Sequence, residues 1–251
     1  VSDEERYSSC SLCGSGVPAA INPLCPTGIS SGHKRGWPAQ RAGGFRGGYA
    51  APTARNRPML THPNPPHYTP DHEAFRAPGR RFVEREIIPN AAEWDEAGGF
   101  PRELYGKAAE AGLLGVGFPE EYGGTPADHF YRVILAEEMG RSGSGGTCAS
   151  LMSHTIGLPP VVAGASPGLK ARILPGVLAG EKISALAVTE PGAGSDVAQL
   201  ATTAKRDGDH YVVNGSKMFI TSGMRADWYT VAVRTGGPGA AGVSLLGIKR
   251  D

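Results

Sequence analysis

The chain has 251 residues, 40% hydrophobic and 20% charged, with a formal net charge of +1. That balance suits a protein able to build a core, and it does not favour attraction to nucleic acid or to an anionic membrane surface. No apolar run approaches the roughly 18 residues that a membrane-spanning helix requires.

Residues 1–64 stand apart. They carry seven Lys/Arg against three Asp/Glu, whereas the rest of the chain carries 18 against 21. They are rich in Gly, Pro, Ser and Arg and show no sustained apolar period, so they cannot bury enough surface to offset chain entropy. The segment reads as a disordered extension. The first methionine is Met59, which suggests a natural start there and a non-native stretch 1–58. Cys10 and Cys13 with Cys25 and His33 make only half of a zinc spacing, because no second pair follows. The Arg and Ser of an organellar leader are present, but the acidic Asp3, Glu4 and Glu5 and the Gly/Pro content argue against one. Of the four cysteines only Cys148 lies beyond this segment, so a reducing compartment is expected.

From Asp71 to Gly180 the period is helical. A first helix is expected over Asp71–Asn90, with Asp71 as N-cap and Phe75, Phe82, Val83 and Ile87 on one face. Pro78-Gly79 predicts a kink or a late start. A second helix starts at Pro101, buries Leu104, Ala108 and Ala111, and ends at Gly112. Asp128–Gly140 is a third, with Phe130, Val133 and Ile134 inward. Cys148–Ala163 reads as one small apolar helix buried all round. Ser166-Pro167 caps a fifth, lined by Leu169, Ile173, Leu174, Val177 and Leu178 and stopped by Gly180.

After Glu181 the period shortens. Strands are expected at Ile183–Thr189, Ala201–Arg206, His210–Asn214, Ser216–Thr221, Trp228–Arg234 and Val243–Lys249, with a hairpin turn at Asp207-Gly208-Asp209. Helices followed by strands imply an α+β chain: a disordered extension at 1–64, a helical domain at 65–182 and an incomplete β-barrel-like domain at 183–251.

Two stretches carry chemistry. Val188–Asp196 (VTEPGAGSD) follows a strand. Its Gly192 and Gly194 allow close approach and unusual dihedrals, Thr189 and Ser195 supply short hydroxyls, and free N–H groups in such a turn can cradle an oxygen. No Gly-Lys-Ser/Thr follows, so it is not a P-loop, and no helix follows, so it is not a dinucleotide fingerprint. Asn214–Gly223 (NGSKMFITSG) begins with a turn. As a strand it puts Met218 and Ile220 on one face and Phe219 and Thr221 on the other, an aromatic wall beside a hydroxyl. Either stretch alone also fits an ordinary surface turn or a half-buried strand.

Together, in this order and spacing, the two resemble the signature of the acyl-CoA dehydrogenase family. The resemblance extends to Ile88-Pro89, the Trp94 region, Gly112–Val116, Pro119–Gly124, Ala136–Gly140, Leu174-Pro175 and Ala179–Glu181. It covers roughly residues 67–251.

The resemblance implies a helical domain, a β domain and a C-terminal four-helix domain not included here. It implies a flavoprotein oxidoreductase of fatty acid β-oxidation, in which FAD accepts a hydride as an acyl-CoA thioester is desaturated between its α and β carbons. Leu186, Val188, Thr189, Gly194, Ser195, Phe219, Ile220 and Thr221 are the implied cofactor-binding residues. Thr189 and Thr221 would bond the ring system, Phe219 would pack beside it where the family commonly has Trp, and Ser195 would also touch the acyl-CoA. Electron-transfer flavoprotein is the implied acceptor and a homotetramer or dimer the implied assembly. The implied catalytic base is a glutamate of the C-terminal region, beyond Asp251, and Glu190 is expected to be structural. The chain alone is therefore expected to bind FAD weakly and to be inactive. The expected compartment is the cytoplasm for a bacterial chain and the mitochondrial matrix for a eukaryotic one. A flavin monooxygenase or nitroalkane oxidase on the same scaffold, and a non-catalytic fragment, are the alternatives.

Overall fold

The computed structural model describes residues 67–250. The readings of the extension, its Cys10–Cys13 pair and the start at Met59 lie outside the described residues. Helices occupy the chain to Leu178 and strands follow from Ser184, the α+β order expected. Among the described residues no helix is long and apolar enough to cross a membrane.

Helix α1 (Pro70–Phe82) starts one residue before the expected point. Its N-cap is Thr69, not Asp71. The Thr69 side chain accepts from the His72 N–H, and the His72 ring accepts from the Thr69 N–H at 3.0 Å. That leaves the proton on His72 Nε2, which donates to the Asp128 carboxylate at 3.0 Å. Asp71 instead sits in the first turn, where a negative charge suits the helix dipole. Pro78-Gly79 does not break the helix. The helix runs on past Pro78 to Phe82, and the irregularity falls later, where Val83–Ile87 widens to a π turn and Ile88–Asn90 tightens to 3-10. Gly79 is buried because α4 passes there: an added Cβ would stand 3.8 Å from the Glu138 side chain.

Helices α2 (Ala91–Ala97) and α3 (Glu103–Glu110) follow, and Gly112 leaves α3 at φ +74° as its position predicts. Helix α4 (His129–Gly140) is capped by the Asp128 carboxylate, which accepts from the Phe130 N–H at 2.8 Å. Its buried face is Ile134, Leu135, Glu138 and Met139; Phe130 and Val133, expected inward, are exposed. The buried stripe lies about one turn later than the large apolar side chains of Phe130 and Val133 indicate. The single helix expected over Cys148–Ala163 is three short ones: α5 (Gly145–Leu151), α6 (His154–Gly157) and α7 (Pro159–Gly164). Pro159 and Pro160 have no N–H to continue α6, and Ile156 is exposed, so the run is not buried all round. Helix α8 (Pro167–Leu178) matches its expectation, with Ser166 Oγ accepting from the Leu169 N–H and all five expected residues buried.

The strands are β1 (Ser184–Ala187), β2 (Thr203–Asp207), β3 (His210–Asn214), β4 (Trp228–Arg234) and β5 (Val243–Lys249). They form one five-stranded mixed sheet. Strand β4 is central, parallel to β1 and antiparallel to β5 along its whole length. Strand β2 meets β4 only at Thr203–Arg234 and forms a hairpin with β3, closed by Asp207–His210. Gly208 takes φ +62° at the first loop position, the pattern of a type II′ turn. Ser216–Thr221, expected as a strand, is not one: Phe219 sits at φ +58° and breaks the extended backbone. One core runs through both parts, joining Phe82, Val83, Ile87 and Leu114 of the helical region to Ile183, Ala185 and Val231 of the sheet.

Candidate functional site

The loop after β1 and the segment after β3 meet. The Met218 N–H donates to the Thr189 carbonyl at 2.9 Å. Beneath that bond lies a buried ion pair. Glu190 and Lys217 are each 6% exposed, and Lys217 Nζ donates to Glu190 at 2.6 Å and to the Val188 carbonyl at 2.9 Å. The same carboxylate accepts from the N–H groups of Ala201 at 2.6 Å and Thr202 at 3.0 Å. Thus one side chain fastens both ends of the loop and the neighbouring segment.

Burial disfavours the charge on both partners. For Lys217 burial is the largest influence, and it pulls the amine below the ordinary lysine range. For Glu190 burial also acts most strongly, to raise the pKa, but the bonds from Lys217 and from the Ala201 and Thr202 amides together outweigh it and hold the carboxyl at about 2. The carboxyl is ionised, because donors converge on both of its oxygens and a protonated acid would set an O–H against one of them. Glu190 is then an ionised anchor with its oxygens already engaged, consistent with a structural role.

Arg234 holds the far side of the loop. Its guanidinium donates to the carbonyls of Ala198 at 2.7 Å and Leu200 at 3.0 Å, and to Gly237 at 2.6 Å. Val188 packs inward beside Ala193, Leu200 and Ala232. What remains outward is the loop's tip. Gly194 and Ser195 are exposed, and the hydroxyls of Thr189, Ser195 and Thr221 have no partner within the described residues. Gly192 and Gly194 do not adopt the unusual dihedrals expected of them: neither has a positive φ. Nor does the chain crowd them, since an added Cβ would meet nothing within 4 Å. The fold alone gives no reason for glycine at either position, whereas an external body lying against the loop would.

Phe219 is the most exposed large apolar side chain described, at 84%, and its φ of +58° is one that a bulky residue rarely adopts. Burial still alternates here as expected, with Met218 and Ile220 half-buried and Phe219 and Thr221 exposed, although the backbone is no strand. Ser222 follows at φ +61°. It is fixed to α5: its Oγ lies 2.8 Å from Ser150 Oγ and 3.2 Å from the Ser150 carbonyl, which also accepts from the Tyr105 hydroxyl at 2.9 Å. The Tyr229 hydroxyl donates to the Gly223 carbonyl at 2.8 Å. A strained turn is thereby held by four hydroxyls.

The structure therefore brings Val188 and Thr189 beside Met218 and the exposed Phe219–Thr221. Leu186 is half-buried on β1, and Ile220 packs on the core. Gly194 and Ser195 belong to the same loop, but no bond joins them to Phe219 or Thr221. Sequence reading missed Lys217, Arg234 and the Ser150–Ser222 tie. Only Lys217 left a signal: a lone Glu in a Gly-rich loop needs a cation nearby. The surface offers short hydroxyls, loop amides and an aromatic face, a set suited to a flat, polar-edged ligand. A cavity of about 480 Å³ lies near α5, walled by Leu113, Leu135, Met139 and Met152 with Arg132 and His154.

Two models of one family match the chain: acyl-CoA dehydrogenase N-terminal domain over residues 69–181 and acyl-CoA dehydrogenase middle domain over 185–251. An acyl-CoA dehydrogenase, apdG, of Emericella nidulans is 37% identical over 205 residues, covering 72% of this chain and 46% of its own. A probable acyl-CoA dehydrogenase structure from Mycobacterium abscessus superposes with TM-score 0.70 at 53% identity, over 72% of this chain and 48% of the other. An acyl-CoA dehydrogenase from Bacillus anthracis, described as complexed with FAD, gives TM-score 0.66 at 32% identity, over 75% and 32%. The chain spans about half the length of the curated relative from Emericella.

Proposed function

The chain belongs to the acyl-CoA dehydrogenase family, and we propose that residues 186–221 form one wall of an FAD site serving α,β-dehydrogenation of an acyl-CoA thioester. The observation that carries this is the Met218–Thr189 bond, which sets the exposed, strained Phe219 beside the unpartnered Thr189 and Thr221 hydroxyls. When bound, the flavin supplies a hydride acceptor. Phe219 covers a ring face, Thr189 and Thr221 bond polar ring edges, and Leu186, Val188 and Ile220 make the apolar floor. Gly194 and Ser195 offer amides, and the Ser195 hydroxyl also reaches the thioester.

Glu190 does not remove the α proton. Its oxygens already accept from Lys217 and two amides, and a carboxyl held at about 2 is a weak base. The base must come from elsewhere than this loop. The apolar cavity beside α5 suits an acyl chain, since α5 is itself tied to the 219–226 turn through Ser150 and Ser222. By the same family reading, electrons pass to an electron-transfer flavoprotein, and the assembled protein is a homo-oligomer.

FAD titration of the 251-residue chain, followed by absorbance, tests the site. Weak binding with a perturbed flavin spectrum is expected, lost in Thr189→Val combined with Phe219→Ala. No turnover of an acyl-CoA with an artificial acceptor is expected from this chain alone. An unperturbed flavin spectrum at saturating FAD would falsify the reading.

A further inference from the structure

The cavity beside α5 is walled mainly by apolar side chains, with one permanently charged group among them. Arg132 of α4 lines it, and its guanidinium has no carboxylate partner among the described residues. Nη2 donates to the Gly117 carbonyl at 3.0 Å and Nε to the Val116 carbonyl at 3.4 Å, and the Phe118 ring centroid lies 5.2 Å from Cζ. Those bonds use two of the five N–H groups of an arginine, so the rest stay available. The other polar groups of the wall bring no counter-charge. The Thr155 hydroxyl is spent on the Met152 carbonyl at 2.7 Å, and His154 donates Nε2–H to the Leu114 carbonyl at 3.0 Å. Burial, with Arg132 adding to it, lowers the His154 pKa to about 4, so the imidazole is neutral near pH 7. A half-buried cation bordering an apolar chamber is favoured by an anion entering that chamber.

We propose that Arg132 is a specificity-determining residue, selecting acyl thioesters whose far end carries a carboxylate over those ending in a methyl group. The inference rests on the acyl-thioester reading above and adds to it the chemistry of the distal group. The chain's apolar body fills the space among Leu113, Leu135, Met139 and Met152, and its terminal carboxylate takes the unused guanidinium donors in the paired geometry that arginine offers.

The test uses the 251-residue chain and two short N-acetylcysteamine thioesters, octanoyl and 7-carboxyheptanoyl, of matched length. Calorimetry is expected to show the carboxylate form binding about tenfold tighter, one charge-assisted hydrogen bond's worth. Arg132→Gln should abolish the preference while still binding the octanoyl form, and Arg132→Lys should retain part of it. Melting curves verify that each variant folds. In the wild type, the bound carboxylate should also raise the His154 titration midpoint seen by NMR, whereas the octanoyl form should not; this arm decides the matter if Arg132→Gln fails to fold. Equal affinities, a preference that survives Arg132→Gln, or no binding of either thioester would overturn the proposal. No flavin is present in these measurements. Failure to bind FAD therefore sinks the flavoenzyme reading alone, and equal thioester affinities with FAD binding intact sink this inference alone.

Discussion

Two buried glutamates anchor two parts of this molecule, and they do so under different conditions. Glu138, 1% exposed, receives Arg80 at 2.9 Å, Arg76 at 3.1 Å and Arg141 at 3.3 Å, bracing α1 against α4. Burial works to raise its pKa, but Arg80 and Arg76 lower it further than burial lifts it. Around it, Gly79 packing and the Phe82 and Leu135 side chains say the same thing again. Glu190 has one ammonium and two amides, and the loop it holds is mostly exposed. A charge amid redundant packing is a reinforcement, whereas a charge in a sparse loop is the loop's conformation.

The largest expected effect separates the two sites directly. Glu190→Ala leaves Lys217 buried without its counter-charge and should cost about 3–5 kcal/mol. Glu138→Ala should cost less, about 1–3 kcal/mol, because Arg80 and Arg141 reach solvent and Arg76 keeps Glu73 and Glu137. Urea denaturation of both variants compares them, and equal or reversed losses would break the contrast.

Acid should expose the next difference. His154 has a folded pKa of about 4 against an ordinary 6.5, so the unfolded chain binds the extra proton first and stability falls as pH drops from about 6.5 toward 4. Glu190 at about 2 against 4.5 adds stability above 4.5 that is lost as pH falls toward 2. Melting temperature against pH should therefore decline in two stages, and His154→Gln should flatten the first. A single decline beginning below pH 4.5 in the wild type would contradict the buried neutral imidazole.

The smallest effect has the opposite sign. Phe219→Gly removes a positive-φ penalty of about 1–2 kcal/mol and adds glycine's unfolded-state entropy of about 1 kcal/mol, so stability should hold or rise slightly. FAD affinity should nonetheless drop. A variant that loses stability would mean that Phe219 packs on the protein and not toward a ligand.

Much of the framework was legible because its determinants are local. The ends of β3, β4 and β5, the Ser166 cap and the Gly112 and Gly180 stops each follow from one or two neighbouring residues. Errors arose where distant partners decide. Phe130 and Val133 look like core on α4, but its orientation is set by Glu138 meeting arginines of α1. The 216–221 run alternates like a strand, yet Lys217 is drawn into the loop by Glu190, 27 positions away, and Phe219 turns over to accommodate it. The site's residue types could be read from the chain. Their arrangement could not, because a buried ion pair and a strained backbone leave no periodic trace.

Strand β5 occupies one edge of β4 from end to end, so β1 and β2 share the other, meeting it at Val231 and Arg234. The intervening excursion, residues 188–202, therefore departs and returns about 10 Å apart along a single strand. Its mouth is fixed by the sheet, and the entropy of closing it grows only slowly with the number of residues inside. The exposed tip of such an Ω-like insert can lengthen at small entropic cost while the strand pairing stays in register, provided Glu190 and Leu200 remain to hold its ends.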